Sequence, residues 1–143
     1  SNGTRTNQLA MYVVYESPVQ FFSGNPSQGM QEPEFMRLLG SIPTVWDTTV
    51  VVDASIAKYI ITARQKDGNW YLGAMTDTAA RSFNIPLGFL GQGEYTATIC
   101  EDGVNADRYA SDYIITDRIV TSKDSLPLKL QPGGGYVVRF LKK

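Results

Sequence analysis

The chain has 143 residues, 43% of them apolar, and a formal net charge of −1. That length suits one ordinary domain able to remove about 70% of its unfolded-chain surface from water, and the near-neutral balance gives no electrostatic attraction for nucleic acid or an anionic membrane. There is no histidine and one cysteine, Cys100, which excludes Ser–His–Asp and Cys–His triads, imidazole-ligated zinc, an intrachain disulfide and thiolate metal clusters.

The opening SNGTRTNQ lacks the basic and apolar regions of a signal peptide, and no run is long or apolar enough to span a bilayer. The stretch NQLAMYVVYE then reads as a short helix with Asn7 as N-cap and a stop or kink near Ser17 imposed by Pro18. Leu9, Tyr12 and Val13 share one helical face, and Met11, Val14 and Tyr15 occupy another, so this helix is apolar nearly all round. Such a helix needs protein on every side, and the expectation is that the sequence belongs to a larger body. Residues 23–29, SGNPSQG, read as a loop. EPEFMRLLG follows as a second helix, with Pro33 at its first position, Gly40 just past its end, and Phe35, Leu38 and Leu39 as its apolar stripe.

From Thr44 the pattern turns to β. Eight strands are predicted, at residues 44–52, 57–65, 69–75, 81–87, 94–101, 113–122, 126–131 and 135–141. Asp67-Gly68-Asn69 joins two of them in a tight hairpin, and connections of crossover length are missing, so the pairing is expected to be antiparallel. Tyr95, Ala97 and Ile99 alternate with Thr96 and Thr98, and Tyr136, Val138 and Phe140 alternate with Arg139. The fold class expected is mainly β: an antiparallel two-layer sandwich with Greek-key links, over residues 44–143, preceded by two short helices in residues 1–43. Cys100 is expected as a half-buried small residue in a strand.

Crowded carboxylates mark residues 101–113, EDGVNADRYASDY. Asp102, Asn105 and Asp107, with Glu101 or Asp112, supply hard oxygens of the kind calcium needs. Their spacing departs from the EF-hand pattern, and Arg108 offsets part of the charge. A glycosidase pair would need a deep cleft, which a strand-to-strand loop seldom makes. The favoured reading is a loop in which Asp102, Asn105 and Asp107 bond to nearby backbone amides or to Arg108 with no ion between them. Trp46, Trp70, Tyr71, Tyr109 and Tyr113 raise a second possibility, a platform for stacking sugar rings. The plainer reading puts Trp70 and Tyr95 in the core. The runs GQGEY and PGGGY lack a following helix and read as turns rather than nucleotide or phosphate loops. No catalytic, cofactor-binding or metal-ligating residue is assigned.

Taken in order, QLAMYVVYESPVQ, EPEF, IPTVWD, YIITARQKDGNWYLGAMTD, EDGVNADR and LQPGGGYVVRF resemble the C-terminal end of glycoside hydrolase family 97, over almost the whole chain. The family comprises bacterial α-glucosidases and α-galactosidases, many from Bacteroidetes. The resemblance implies a three-part enzyme, with a (β/α)8 catalytic barrel between two β-sandwiches. On that basis residues 44–143 are the last sandwich and the first helix is the end of the barrel. The implied role is architectural, with the parent chain's own barrel as partner; the alternative is a carbohydrate-binding module for an α-linked oligosaccharide. Catalytic carboxylates and calcium ligands are implied for other regions of the parent, so none is carried onto this sequence, and Glu16 matches only the helix motif. The resemblance also implies a periplasmic or secreted enzyme.

Overall fold

Strands whose two faces are both apolar need two different covers, and here each cover has its own source. The computed structural model describes residues 3–15, 32–106, 108–109 and 111–143. In chain order these form α1 (Arg5–Val14), α2 (Pro33–Ser41), β1 (Thr48–Ser55), β2 (Tyr59–Lys66), β3 (Asn69–Thr76), β4 (Arg81–Pro86), β5 (Tyr95–Asp102), β6 (Tyr113–Val120), β7 (Ser125–Leu130) and β8 (Gly135–Lys142). All pairings are antiparallel, in a six-stranded sheet of order β1-β2-β3-β8-β5-β6 and a two-stranded sheet of β4 and β7. The chain crosses from the large sheet to the small one after β3 and again after β6, so β8 returns between β3 and β5. The predicted antiparallel sandwich is therefore present, with unequal layers.

One face of the large sheet packs on the small sheet. Ile61, Ala63, Leu72, Ala97, Val138 and Phe140 meet Ile85, Leu126, Leu128 and Leu130, and Leu87 and Leu90 close the gap from the β4–β5 connection. Trp70 and Tyr95 are buried here, as expected. Phe89 joins Trp70 to Phe140, with ring centroids 5.2 and 5.8 Å away. Each such large apolar side chain contributes roughly 1.5–3 kcal/mol on burial.

The opposite face is covered by the two helices. Leu9, Ala10 and Val13 of α1 and Phe35 and Leu38 of α2 pack against Tyr71, Cys100 and Val137 of the sheet. Here α1 approaches the backbone of the sheet itself. A Cβ placed on Gly135 of β8 would stand 2.5 Å from Asn7 Cα, and one on Gly73 of β3 would stand 2.8 Å from Val13 Cβ. Both distances lie inside van der Waals contact, so only glycine lets the helix settle this deeply. Met11 and Tyr12 remain half-buried and Tyr15 is 43% exposed.

Several expectations shift. Thr4, not Asn7, caps α1: its hydroxyl accepts the Asn7 amide at 3.0 Å. Asn7 lies inside the first turn, and its side-chain amide donates to the Gly134 carbonyl at 2.9 Å. Gly40 is within α2 rather than beyond it, since the helix runs to Ser41 and ends on the extended residue Ile42. β1 starts four residues later than predicted and runs further, to Ser55. Asp47 explains the delay: its carboxylate accepts the Asp67 amide at 2.9 Å, holding the lead-in against the β2–β3 turn. A bulge between Val51 and Asp53 then carries the strand on. In that β2–β3 turn Asp67 and Gly68 have φ of 53° and 81°, the geometry of a two-residue hairpin. The loop predicted at 23–29, the stop at Pro18 and the residues Glu16 and Asp107 lie outside the described residues.

Two glycine substitutions should therefore act with opposite sign. Gly135→Ala should lower the free energy of unfolding by about 3 kcal/mol, because the new methyl meets helix backbone that cannot move aside. Gly40→Ala, at a helical site with nothing within 4 Å of the new methyl, should raise it by about 1 kcal/mol. Urea titration followed by far-UV circular dichroism reads both; an unchanged midpoint for Gly135→Ala would contradict the close seating of α1.

Candidate functional site

The helix-bearing face gathers most of the polar groups that the sequence set among apolar neighbours. Helix α1 has no acid in its first turn and no base in its last, so nothing of its own complements its dipole. The sheet supplies both charges. At the C-terminal end Arg64 of β2 reaches up and its Nη2 donates to the Val14 carbonyl at 2.9 Å. At the N-terminal end Asp102 of β5 lies beneath the first turn, close enough to Thr4 and Thr6 for them to favour its charged form. Its Oδ2 also accepts the Gly135 amide at 3.1 Å. One carboxylate thus ties β5 to β8 beneath the start of α1.

Burial pushes the Asp102 pKa up, against the opposing pull of Thr4, the Gly135 amide and Thr6. Beside it Cys100 is fully buried rather than half-buried, and its sulfur lies 3.7 Å from the Thr6 hydroxyl. Desolvation pushes its thiol up to about 12, so it is a small core residue and no nucleophile.

The rest of the acidic stretch builds a loop. Asp112 closes it: its Oδ2 accepts the Asn105 amide at 2.8 Å and its carbonyl accepts the Gly103 amide at 2.7 Å. Arg108 and Tyr109 donate their amides to the Asn105 carbonyl at 3.0 and 2.8 Å. The expected bonding to backbone amides thus holds for Asp102. Asn105 takes part through its main chain, and Asp112 does in the loop what was expected of its neighbours. Among the described residues no group of three or more acids or cysteines is placed to hold a metal ion.

A row of side chains crosses all six strands on this same face. Thr49, Arg64, Tyr71, Arg139, Thr98 and Asp117 stand opposite one another in register from β1 to β6. Thr98 donates to Asp117 at 2.7 Å, and Arg139 donates to the Ser41 hydroxyl of α2 at 2.9 Å. Trp46 packs edge-on against Tyr71 at 5.4 Å, with the Arg64 guanidinium 5.7 Å from the Trp46 ring centre. Arg5 of α1 pairs with Glu32 at the start of α2, and its guanidinium sits 5.7 Å from the Phe35 ring. Sequence reading missed this row, because its members come from six separated segments. The one available signal was a pair of arginines, Arg64 and Arg139, at positions that alternate with core residues.

The aromatics do not form one platform. Trp46 packs with the helix-side cluster and Trp70 with the sandwich core, on opposite faces of the sheet. Tyr109 is 62% exposed in the β5–β6 loop, and Tyr113 lies against Phe35 with ring centres 5.1 Å apart. Among the described residues this face is thus a scaffold of buried polar contacts that tie the helices to the sheet.

Residues 45–141 match the family described as glycosyl-hydrolase 97 C-terminal, oligomerisation. The chain belongs to glycoside hydrolase family 97, as its C-terminal domain. It is 43% identical over 140 residues to a retaining α-galactosidase of Bacteroides thetaiotaomicron, covering 98% of this chain and 21% of that protein. A probable retaining α-galactosidase of Streptomyces bingchenggensis is 26% identical over 129 residues, 90% of this chain and 19% of that one. Among solved structures, a family 97 enzyme from Pseudoalteromonas sp. in complex with acarbose superposes with a TM-score of 0.89 at 34% identity, over 98% of this chain and 23% of that one. The chain thus spans about a fifth of the length of these relatives.

The raised Asp102 pKa has a fixed consequence for stability. The folded protein takes up this proton more readily than the unfolded chain, so stability falls as pH rises from the ordinary aspartate value through the folded one. Glu101, also raised by burial, contributes with the same sign. Asp102→Asn should remove the Asp102 part of that slope while keeping an acceptor for the Gly135 amide. Asp102→Ala should cost about 1–3 kcal/mol by leaving that amide unpaired. Urea midpoints measured from mildly acidic to neutral pH compare the three proteins; a wild-type slope retained in Asp102→Asn would show that the group does not titrate as stated.

Proposed function

We propose that this domain is a non-catalytic module of a family 97 enzyme that hydrolyses α-glycosidic bonds, with α-galactosides as the substrate class. In this reading residues 1–43 hold the last helix of the catalytic barrel and a connecting helix, and residues 44–143 form the accessory sandwich. The domain buttresses the barrel through its helix-bearing face and offers a surface for self-association. The observation that carries the reading is the match of residues 45–141 to the family's C-terminal, oligomerisation module. The 43% identity to a retaining α-galactosidase supports the substrate class. The half-buried Met11 and Tyr12 on α1 and the exposed Tyr15 at its C-cap give the barrel apolar surface to cover. Calcium, where the parent enzyme uses it, is assigned to the catalytic region. Export to the periplasm or the medium belongs to the same reading and rests on family resemblance.

The placement of Trp46 and Trp70 on opposite sheet faces speaks against a sugar-stacking module. Two measurements on the chain test this. It should release no nitrophenol from a nitrophenyl α-galactoside or α-glucoside, and its tryptophan fluorescence should not change on titration with maltooligosaccharides or galactosides. Turnover would overturn the non-catalytic assignment, and saturable quenching would replace the architectural role with carbohydrate binding.

A further inference from the structure

The two edges of the large sheet are built differently. At one edge, β6 carries Asp117 and Arg118 in mid-strand, the kind of charge that keeps a sheet edge from pairing with another chain. At the other edge, β1 pairs with β2 on one side only among the described residues. Its segment Thr48–Val51 is exposed throughout and uncharged as far as Val52. Its flanking acids are engaged: Asp47 with Lys66 at 3.8 Å and Asp53 with the Tyr59 hydroxyl at 3.1 Å.

Large exposed apolar side chains gather on this edge. Val50 is 36% exposed, Val51 60%, Val45 67%, and Ile56, at the tip of the β1–β2 turn, 96%. Their spacing is symmetric: Val45 precedes Val50 by five residues and Ile56 follows Val51 by five. In a strand turned end for end beside a copy of itself, with either valine set on its own counterpart, each Ile56 tip comes within about one residue of the other copy's Val45. That self-complementarity is what an isologous two-fold contact needs.

We infer that β1 is the self-association surface of this domain, pairing antiparallel with β1 of a second copy around Val50 and Val51 to continue the six-stranded sheet across the two-fold axis. The inference rests on the reading that the domain serves self-association, and it adds the surface, the partner and the register. Because paired residues must point to the same sheet face, the pairing sets Val50 against Val50 or Val51 against Val51 of the other copy.

Cysteine crosslinking on the full 143-residue chain tests this, with Cys100 as a silent background because it is fully buried. Light scattering should give twice the chain mass. Under mild oxidation V50C or V51C should give a covalent dimer, while I114C on β6 and R37C on α2 should not. V51K and V51E should each weaken self-association roughly a hundredfold or more through like-charge contact. An equimolar mixture of the two should restore it, which a merely structural defect would not allow. Val51 is 60% exposed, so at concentrations too low for the wild type to associate both variants should keep its urea midpoint. If the wild-type chain is dimeric but V50C and V51C stay uncrosslinked and V51K remains a dimer, another surface is used and this inference fails while self-association stands. A wild-type chain that stays monomeric at millimolar concentration would overturn both.

Discussion

The seating of α1 on bare backbone at Gly73 and Gly135 is the contact on which the rest of the helix-bearing face depends. Without a side chain at those two places the helix descends far enough for Leu9, Ala10 and Val13 to be fully buried. Only at that depth do the polar ties come within reach. Asn7 meets the Gly134 carbonyl and Arg64 meets the Val14 carbonyl. Depth of packing and satisfaction of buried polar groups are thus one constraint, since a helix held a methyl's width higher would pull the Asn7 amide and the Val14 carbonyl away from their partners on the sheet side.

The same arrangement explains how a helix with no favourable charges of its own stays stable in place. A helix of this length is marginal in isolation. Here the sheet provides an anion beneath its start and a cation at its end, and both come from strands that pair only in the folded state. The helix and the sheet therefore specify one another. Asp102 accordingly serves as a structural clamp, though its sequence neighbourhood looks like a ligand cluster.

Much of this fold is written locally. Short β-branched and aromatic runs bounded by turn residues placed the strands to within a few residues, and β3, β5 and β8 are buried almost continuously because both of their covers are apolar. The Asp67-Gly68 hairpin was equally legible, since two successive positive φ values demand such residues. Non-local bonds account for what was missed. Thr4 rather than Asn7 became the cap because Asn7 was drawn away to a carbonyl 127 residues distant in sequence. Trp46 was read as part of a strand because nothing nearby reveals that Asp47 is pinned to the β2–β3 turn. The row from Thr49 to Asp117 depends on strand order, and no single segment records that order.

Strand order also has a bearing on biosynthesis. β8 is the last of the described strands in sequence, yet it lies between β3 and β5 in the large sheet. Until it emerges from the ribosome, β1-β2-β3 and β5-β6 have no strand to join them, and α1 lacks the Gly135 half of its seat. The nascent chain must carry two incomplete half-sheets with open inner edges, to be closed by β8 in a single long-range step. Topologies of this kind fold slowly and expose aggregation-prone edges while they wait. For the cell, a message cut short before β8 would therefore yield a sticky intermediate suited to chaperones and proteases, rather than a slightly smaller domain.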